Sequence, residues 1–403
     1  RQYDYTFPND PANPADEFDI WQFSLYAGDT WRVKPNLTLV GGLRLDVPYF
    51  PETPEYNPLV EETFGVRTDV IPDGNMLWSP RVGFNWDISG DSTKQLRGGV
   101  GLFTGRTPFV WISNNYGRTG TRQTTIRFVG PIEFNPDPFD QPTDVAGASR
   151  QDVNTVDPDF EFPQTWRANL AYDHKLPWWD MVASAEVLYA SSVNEVTWRD
   201  LNLAQTGTQP FDGRPLYTRS SSAFSGNYYL TNTDEGDATN LTLKLEKPYG
   251  AASPLWGSLA YAWGEANVIN DATSSRAVSN FQFNEAIDPN NPEVSTSDYE
   301  VRHRVTANLN YEFNRASRWS TVLSVFWNHQ AGRPYMNIYG FGTSASINGD
   351  GYTSNDLIYV PASADDVVIT NGTWDQLNAY FEAFGLDKYS GGIAPRNSLS
   401  QPY

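Results

Sequence analysis

The stretch Phe18 to Val47, FDIWQFSLYAGDTWRVKPNLTLVGGLRLDV, decides the fold of this chain. Apolar and polar side chains alternate in both of its halves, which is the two-residue period of a β-strand. The dipeptide Pro35-Asn36 separates the halves and is typical of a tight turn. The sequence therefore predicts an antiparallel hairpin. Its arms hold roughly ten residues or more, which exceeds the usual length of a soluble strand and suits a strand of about 9 to 11 residues that crosses a membrane.

The same alternation returns in four further pairs of segments, so the sequence predicts ten strands in five hairpins. The predicted strands are 18–33, 37–47, 78–89, 95–104, 164–176, 180–191, 238–247, 256–265, 301–314 and 319–330. Short connections alternate with long loops, which are 48–77, 105–163, 192–237, 266–300 and 331–403. Outer-membrane barrels have short periplasmic turns and longer extracellular loops. We therefore predict an all-β fold: an antiparallel transmembrane β-barrel segment, 1–403, located in a bacterial outer membrane.

The composition restricts the alternatives. Only 39% of the 403 residues are hydrophobic, and no apolar run is long enough for a helical membrane span. The 14 Trp, 22 Tyr and 22 Phe suit aromatic girdles at two membrane interfaces, so we expect outer-membrane lipid as a partner. A formal charge of −20 argues against nucleic acid as a partner, because binding phosphates requires a basic surface. The chain has no cysteine, which excludes disulfides and thiol chemistry.

Charged side chains of the predicted strands fall almost entirely on one face, as a lipid-facing opposite surface requires. The arginines predicted to face the lumen are Arg44, Arg81, Arg97, Arg167, Arg302 and Arg304. These residues either form a solvated, plug-facing wall of paired charges or select a charged ligand. We expect the first role, since a receptor lumen must hold a plug whatever the ligand is.

Ligand contacts are expected on the long loops, which carry function in many scaffolds. One segment combines aromatic area with amide and guanidinium donors. The predicted ligand-binding residues are Phe109, Trp111, Asn114, Asn115, Tyr116 and Arg118. The alternative is that these aromatic side chains pack on one another. The segment 374–384 predicts a short helix within the last loop.

Little in the sequence indicates catalysis, and we expect no enzyme. The three histidines lack metal-ligand spacing, and neither HExxH nor GxSxG occurs. The segment 346–356, SINGDGYTSND, approaches a calcium-binding loop, although Ser replaces the first Asp and the terminal Glu is missing. A turn stabilised by Asn and Asp side chains is the favoured interpretation. If a structural Ca²⁺ binds, the candidate ligands are Asn348, Asp350 and Asp356; no other cofactor is expected.

Two stretches resemble a known family. Ser24 to Val47 resembles the strand-turn-strand of TonB-dependent outer-membrane receptors, and Ser79 to Gly120 resembles their Oar-like subfamily. The later segments NGDGYTSNDLIYVP (348–361) and APRNS (394–398) are also similar to that subfamily. The resemblance implies a plug domain, a 22-strand barrel and energy-coupled uptake, or at least binding, of a bulky ligand, with a TonB-type periplasmic partner. Because the plug, the TonB box and the C-terminal strands are not recognisable here, we expect a barrel fragment.

Two other functions remain open at this point. A surface barrel that serves adhesion or structure without transporting would show the same strands. A soluble carbohydrate-binding β-protein would show the same alternation and a similar load of Trp and Tyr. The sequence does not identify the extracellular ligand.

Overall fold

The computed structural model describes residues 2–12, 17–105, 109–145, 151–250, 252–339 and 346–400. The predicted loop residues 106–108, 146–150, 340–345 and 401–403 lie outside this range. Ten long strands form one sheet. They are β1 (Trp21–Lys34), β2 (Leu37–Tyr49), β3 (Leu77–Asp87), β4 (Lys94–Thr104), β5 (Gln164–Lys175), β6 (Val182–Ser192), β7 (Asp237–Lys247), β8 (Leu255–Val268), β9 (His303–Phe313) and β10 (Thr321–Gln330).

Each strand pairs antiparallel with its neighbours in the chain, so the sheet order runs from β1 to β10 without a crossover. Five short turns lie at one end of the sheet and the long connections lie at the other. A two-residue strand, Ser295–Thr296, adds to the far end of β8. Within the described residues β1 and β10 do not pair with each other, so the sheet is open. The predicted all-β antiparallel fold is confirmed.

The strand bounds differ from the prediction at a few ends. β1 begins at Trp21 rather than at residue 18, because Phe18 and Ile20 pack against a hydrophobic cluster in the loops. β8 is longer than predicted and continues to Val268; it pairs with β7 as far as Asn267, and Asn267 and Val268 also pair with Ser295–Thr296. The extra residues extend β8 toward the long connections.

The register places apolar side chains of neighbouring strands in rows across one face. One row contains Phe84, Gly98, Leu170, Val187, Leu241 and Trp263, on β3 to β8. The opposite face carries a polar row that includes Asn85, Arg97, Glu186, Thr242 and Arg304. Segregation of apolar from charged side chains therefore extends over the whole width of the sheet.

Glycines in β4 permit close approach of neighbouring strands. A Cβ atom at Gly99 would stand 2.8 Å from the carbonyl oxygen of Val82, and one at Gly98 would stand 2.7 Å from that of Asn169. Both distances are shorter than a carbon atom tolerates. These glycines belong to the strand and do not form a phosphate-binding loop.

The long connections contain much more regular structure than the prediction of loops implied. The helices are α1 (Pro58–Phe64), α2 (Phe109–Gly117), α3 (Ala277–Gln282) and α4 (Trp374–Ala383), with 3₁₀ turns at Ala364–Asp366 and Asp387–Tyr389. The strand pairs are Gln2–Pro8 with Gln123–Val129, Leu203–Thr208 with Pro215–Arg219, Pro334–Tyr335 with Leu399–Ser400, and Tyr359–Val360 with Gly392–Ile393. Asn227–Thr233 pairs antiparallel with Glu195–Asp200 and parallel with Val153–Val156. We call this assembly of connections the cap.

The hydrophobic core of the protein lies in the cap and not against the sheet face. Phe160 and Ile112 are fully buried there, together with Trp198, Tyr228 and Phe281. A second, smaller hydrophobic cluster contains Phe381 of α4 and Leu386, which follows that helix. The helix predicted at 374–384 is thus confirmed, and a capping box of Thr373 and Gln376 fixes its start.

Candidate functional site

The apolar face of the sheet is exposed along its whole length. Leu25 is 72% exposed, and Leu309 and Leu323 are more than half exposed. A soluble β-sandwich would cover such a face with a second layer of structure. Here the cap buries its own core and leaves this face open, so the face is built for a nonpolar surrounding.

Aromatic side chains border this face at both ends. On β1, Trp21 and Trp31 are 58% and 62% exposed. Ten residues of strand at about 3.3 Å each separate them by about 33 Å. With a strand tilt of about 40°, the separation along the barrel axis is about 25 Å, which is the height of the apolar band of outer-membrane barrels. No helix in the described residues is long and apolar enough to cross a membrane.

Ion pairs cover much of the opposite face. The side chain of Arg44 binds Asp46 in a bidentate pair, with Nε to Oδ2 at 2.7 Å and Nη2 to Oδ1 at 2.8 Å. Farther along the sheet, Arg97 lies 3.1 Å from Asp173 and 3.5 Å from Glu186. These contacts join β4 with β5 and β6. Two of the predicted inward arginines are therefore matched by carboxylates on the wall itself.

Other predicted inward arginines lack such partners. The guanidinium of Arg81 lies 4.8 Å over the ring of Tyr26. Arg167 makes no ion pair within the residues described above. Both positions share the sheet face that bears Arg44 and Arg97. Since the described sheet is open, their role as a lumen lining stays a prediction.

The last two predicted arginines lie at the start of β9. Arg302 directly precedes the strand and pairs with Glu300 at 2.8 Å and Glu265 at 3.2 Å. Arg304 donates from Nε to the side-chain oxygen of Asn328 at 3.0 Å. Arg302 thus links the wall to the cap.

The six predicted ligand-binding residues all belong to α2 or follow it directly. Trp111 packs edge-on against Trp198 at 5.1 Å, and its Nε1 donates to the carbonyl oxygen of Ser274 at 2.8 Å. The amide of Asn114 donates to the carbonyl oxygen of Ser275 at 2.8 Å. These bonds hold α2 to a connection more than 150 residues away in the chain, so both side chains stabilise the cap.

The remaining residues of α2 are also engaged in the cap. Asn115 is buried, and Tyr116 stacks on Phe18 with ring centroids 4.3 Å apart. Burial raises the pKa of Tyr116 to about 12. Arg118 pairs with Asp152 at 2.7 Å. Their direct contact with a ligand stays a prediction, and Phe109 lines a cavity.

That cavity has a volume of about 250 Å³ and lies where the polar face of the sheet meets the cap. Its lining residues are Ile20, Gln22, Arg44, Asp46, Pro48, Thr104, Gly105, Phe109 and Phe162. One side presents the Arg44–Asp46 pair and the amide of Gln22, which donates to Asp46 at 3.4 Å. The other side presents the rings of Phe109 and Phe162. We call it the mouth cavity; it can accept a group with one polar and one apolar side.

Sequence reasoning missed most of this cavity. It assigned Arg44 to the wall and Phe109 to the loops, and it did not place them together. Nothing in the sequence around Phe162 indicated that it lines a cavity, because its position is set by packing on Phe50 and Phe160. The alternation of β1 did put Gln22 on the same face as Arg44.

The candidate metal ligands Asn348, Asp350 and Asp356 are buried in the cap. The Oδ1 of Asp350 accepts from the backbone N–H of Tyr352 at 2.7 Å, and its Oδ2 accepts from the amide of Asn355 at 2.8 Å. The Oδ1 of Asn348 accepts from the N–H of Asp350 at 2.9 Å. Burial raises the pKa of Asp356 to about 6. These bonds support a side-chain-stabilised turn.

The described residues contain no group of three or more His, Cys, Asp or Glu arranged to hold a metal. Calcium at 346–356 stays a prediction.

The family model of the outer membrane beta barrel domain matches residues 3–403. The chain belongs to this family. The protein therefore belongs in the bacterial outer membrane, and its exposed apolar face is suited to contact with lipid. The protein is thus an outer membrane β-barrel domain. The alternative of a soluble carbohydrate-binding protein does not agree with this family. No curated protein matches the chain significantly.

Several solved structures are similar to this outer membrane β-barrel domain at low identity. The ferric enterobactin receptor PfeA of Pseudomonas aeruginosa is 13% identical over 78% of this chain and 33% of its own, with a TM-score of 0.42. The outer membrane transporter YddB of Escherichia coli is 12% identical over 81% and 35%, with a TM-score of 0.44. The FrpB iron transporter of Neisseria meningitidis is 12% identical over 79% and 35%, with a TM-score of 0.40. The chain spans about a third of the length of these proteins.

Proposed function

We propose that this chain is a barrel segment of a TonB-dependent outer-membrane receptor of the Oar-like type, which binds a bulky extracellular ligand for energy-coupled uptake. The family resemblance of Ser24 to Val47 and Ser79 to Gly120 supports the subtype. The protein is a receptor and transporter and not an enzyme. A plug domain and a TonB-type periplasmic partner belong to the proposal.

The mouth cavity is the observation that carries it. At this point a side chain of the cap, Phe109, and a charged pair of the wall, Arg44 with Asp46, line the same space. A ligand held by the cap would therefore touch the wall as well. Uptake through a barrel needs such a junction, because the ligand must pass from the extracellular connections to the interior.

The charges of the wall support a second part of the proposal. Arg81 and Arg167 face inward without a carboxylate partner in the described residues, whereas Arg44 and Arg97 have one. An inward domain with acidic side chains would complete these pairs. A plug is the kind of domain that would do so.

The test uses cells that make the full-length protein, grown with and without a protonophore, while mass spectrometry follows the loss of solutes from the medium. We expect at least one bulky solute to be depleted only when the proton-motive force is present. The double variant Arg44→Gln with Asp46→Asn removes both charges and leaves polar side chains at both positions, and we expect it to slow this depletion.

The matched control is Arg67→Gln with Asp69→Asn, which removes an exposed cap pair of similar spacing, 2.6 Å. It should deplete the solute at the wild-type rate. Solute depletion that is the same with and without the protonophore would contradict energy-coupled transport and would favour a surface barrel that serves adhesion.

A further inference from the structure

A groove in the cap lies along the strand Gln2–Pro8, where the connection after residue 130 folds back over that strand. Its volume is about 450 Å³, and small-molecule sites have volumes of about 300–1,000 Å³. Its lining includes Tyr3, Asp4, Tyr5, Glu133, Phe134 and Gln141. We call it the ribbon groove. It shares no described lining residue with the mouth cavity.

Aromatic side chains supply much of the apolar surface of the ribbon groove. The rings of Tyr3 and Tyr5 lie 6.3 Å apart along the strand. Phe134 of the connection is largely exposed, and so is Phe139. Exposed aromatic side chains grouped near a groove are typical of a binding surface. The face of an aromatic ring attracts a cation, so these rings favour an apolar ligand with a positive charge over one with a negative charge.

The tyrosine hydroxyls of the groove have already used their donors. The hydroxyl of Tyr3 donates to the carbonyl oxygen of Pro142 at 3.0 Å, and that of Tyr5 donates to the carbonyl oxygen of Pro138 at 3.3 Å. Each phenolic oxygen keeps the lone pairs with which it can accept a hydrogen bond. The two hydroxyls therefore offer acceptors to a ligand.

The side-chain amides of the lining are committed in the same way. Gln141 donates from Nε2 to the carbonyl oxygens of Asn135 at 3.0 Å and Asp137 at 2.6 Å. Asn135 donates from Nδ2 to the carbonyl oxygen of Asp140. Pro136, which also lines the groove, has no backbone N–H. The lining is therefore rich in acceptors and poor in donors, and a carboxylate or phosphate, which only accepts, finds few partners there.

The charges that line the groove are negative. Glu133 is exposed, and its carboxylate makes no ion pair within the described residues. Asp4 is the second carboxylate, and it pairs with Arg127 at 3.2 Å in an exposed position. The described lining contains no Lys, Arg or His. An ammonium or guanidinium group has donors and no acceptor, so it matches both the free acceptors and the carboxylate of Glu133.

We infer that the ribbon groove binds an organic cation, which is an ammonium, amidinium or guanidinium group carried on an apolar body. The cationic group lies against Glu133 and the tyrosine rings, and the apolar body lies against Phe134. Binding here does not depend on the proposed transport, because the groove is separate from the mouth cavity.

Saturation-transfer NMR on the full-length protein in a nonionic detergent tests this inference with three probes of nearly the same shape. Benzamidine is cationic, benzamide is neutral and benzoate is anionic. Micelles without protein give the background of each probe. We expect benzamidine to bind most tightly and benzoate least tightly.

Two kinds of variant locate the binding in the ribbon groove. Glu133→Gln removes the charge but keeps a polar side chain, and we expect it to weaken benzamidine binding about three-fold, the effect of one exposed ion pair. The matched control is Glu62→Gln, an exposed glutamate outside the groove, which should bind as the wild type does. Tyr5→Leu removes a ring and should also weaken benzamidine binding about three-fold, whereas Tyr5→Phe keeps the ring and should retain most of the affinity.

Circular dichroism verifies that each variant is folded, and the exposed change Glu133→Gln keeps the test valid if Tyr5→Leu does not fold. Benzamide or benzoate binding as tightly as benzamidine would overturn the inference. Equal affinities of Glu133→Gln and Glu62→Gln for benzamidine would overturn it as well.

Discussion

The sheet and the cap place their apolar side chains in opposite ways. On the sheet, Leu25 and Leu309 are more than half exposed, whereas in the cap Phe160 and Ile112 have no exposed surface. The sheet relies on lipid to cover its apolar face, and the cap must build its own core because it stands in water. One chain therefore folds in contact with two solvents, lipid and water. The boundary between them lies near the ends of the strands that join the cap.

The largest expected effect on stability comes from creating a cavity in the hydrophobic core of the cap. Phe160→Ala removes a fully buried ring that packs edge-on against Phe162. We expect it to destabilise the cap by about 3–5 kcal/mol, as large-to-small changes in cores do. Hydrogen exchange of cap amides in the full-length protein measures the loss.

The control for this change is Phe139→Ala, since Phe139 is 93% exposed. It should leave the exchange of cap amides unchanged. If Phe160→Ala also accelerated hydrogen exchange of the sheet amides, the sheet and the cap would not unfold independently. The contrast between the two regions would then fail.

The next effect tests the sheet. Leu309→Arg places a cation on the outward face in the middle of β9. An arginine at the bilayer midplane costs about 2–4 kcal/mol. Thr306→Arg, on the inward face of the same strand, should cost much less because its side chain points to the polar side.

Denaturant titration in lipid vesicles compares the two arginine variants. We expect a lower unfolding midpoint for Leu309→Arg than for Thr306→Arg. The opposite order would mean that the apolar face is turned inward.

The sheet was predictable from the sequence because its signal is local. Alternation of side chains assigns Leu309 and Thr306 to opposite faces without any knowledge of their partners. The turn within each hairpin is short, so the two strands of a hairpin meet each other. Differences arose only at ends such as residue 18, where packing on the cap replaces strand pairing.

The cap was not predictable in the same way, because its contacts join distant parts of the chain. Trp111 bonds to Ser274, and Val153–Val156 pairs parallel with Asn227–Thr233. A buried asparagine such as Asn115 looks like an exposed loop residue in the sequence. The prediction found the polar and aromatic residues of α2, but it could not tell that most of them hold the cap together.

The smallest expected effect is a pH dependence of the cap. Glu285 is largely buried, with Oε2 3.6 Å from Nε of Arg396, and Asp271 and Asp298 lie on the same guanidinium. Burial raises the pKa of Glu285 from 4.5 to about 7, and the two aspartates add to the rise while Arg396 opposes it. A carboxyl with a raised pKa binds its proton more readily in the folded chain. The cap should therefore lose stability as the pH rises from about 4.5 to about 7.

Glu285→Gln should remove most of this slope, because the amide resembles the protonated carboxyl and does not titrate. The change corresponds to at most about 3–4 kcal/mol, since one pKa unit equals about 1.4 kcal/mol. Hydrogen exchange of cap amides at pH 5 and pH 8, corrected for the intrinsic rates, measures it. The exposed Glu62→Gln is the matched control and should keep the wild-type slope. Glu285 lies in the cap, so the amides of the sheet should show little of this dependence; an equal slope in those amides would locate the titrating groups outside the cap.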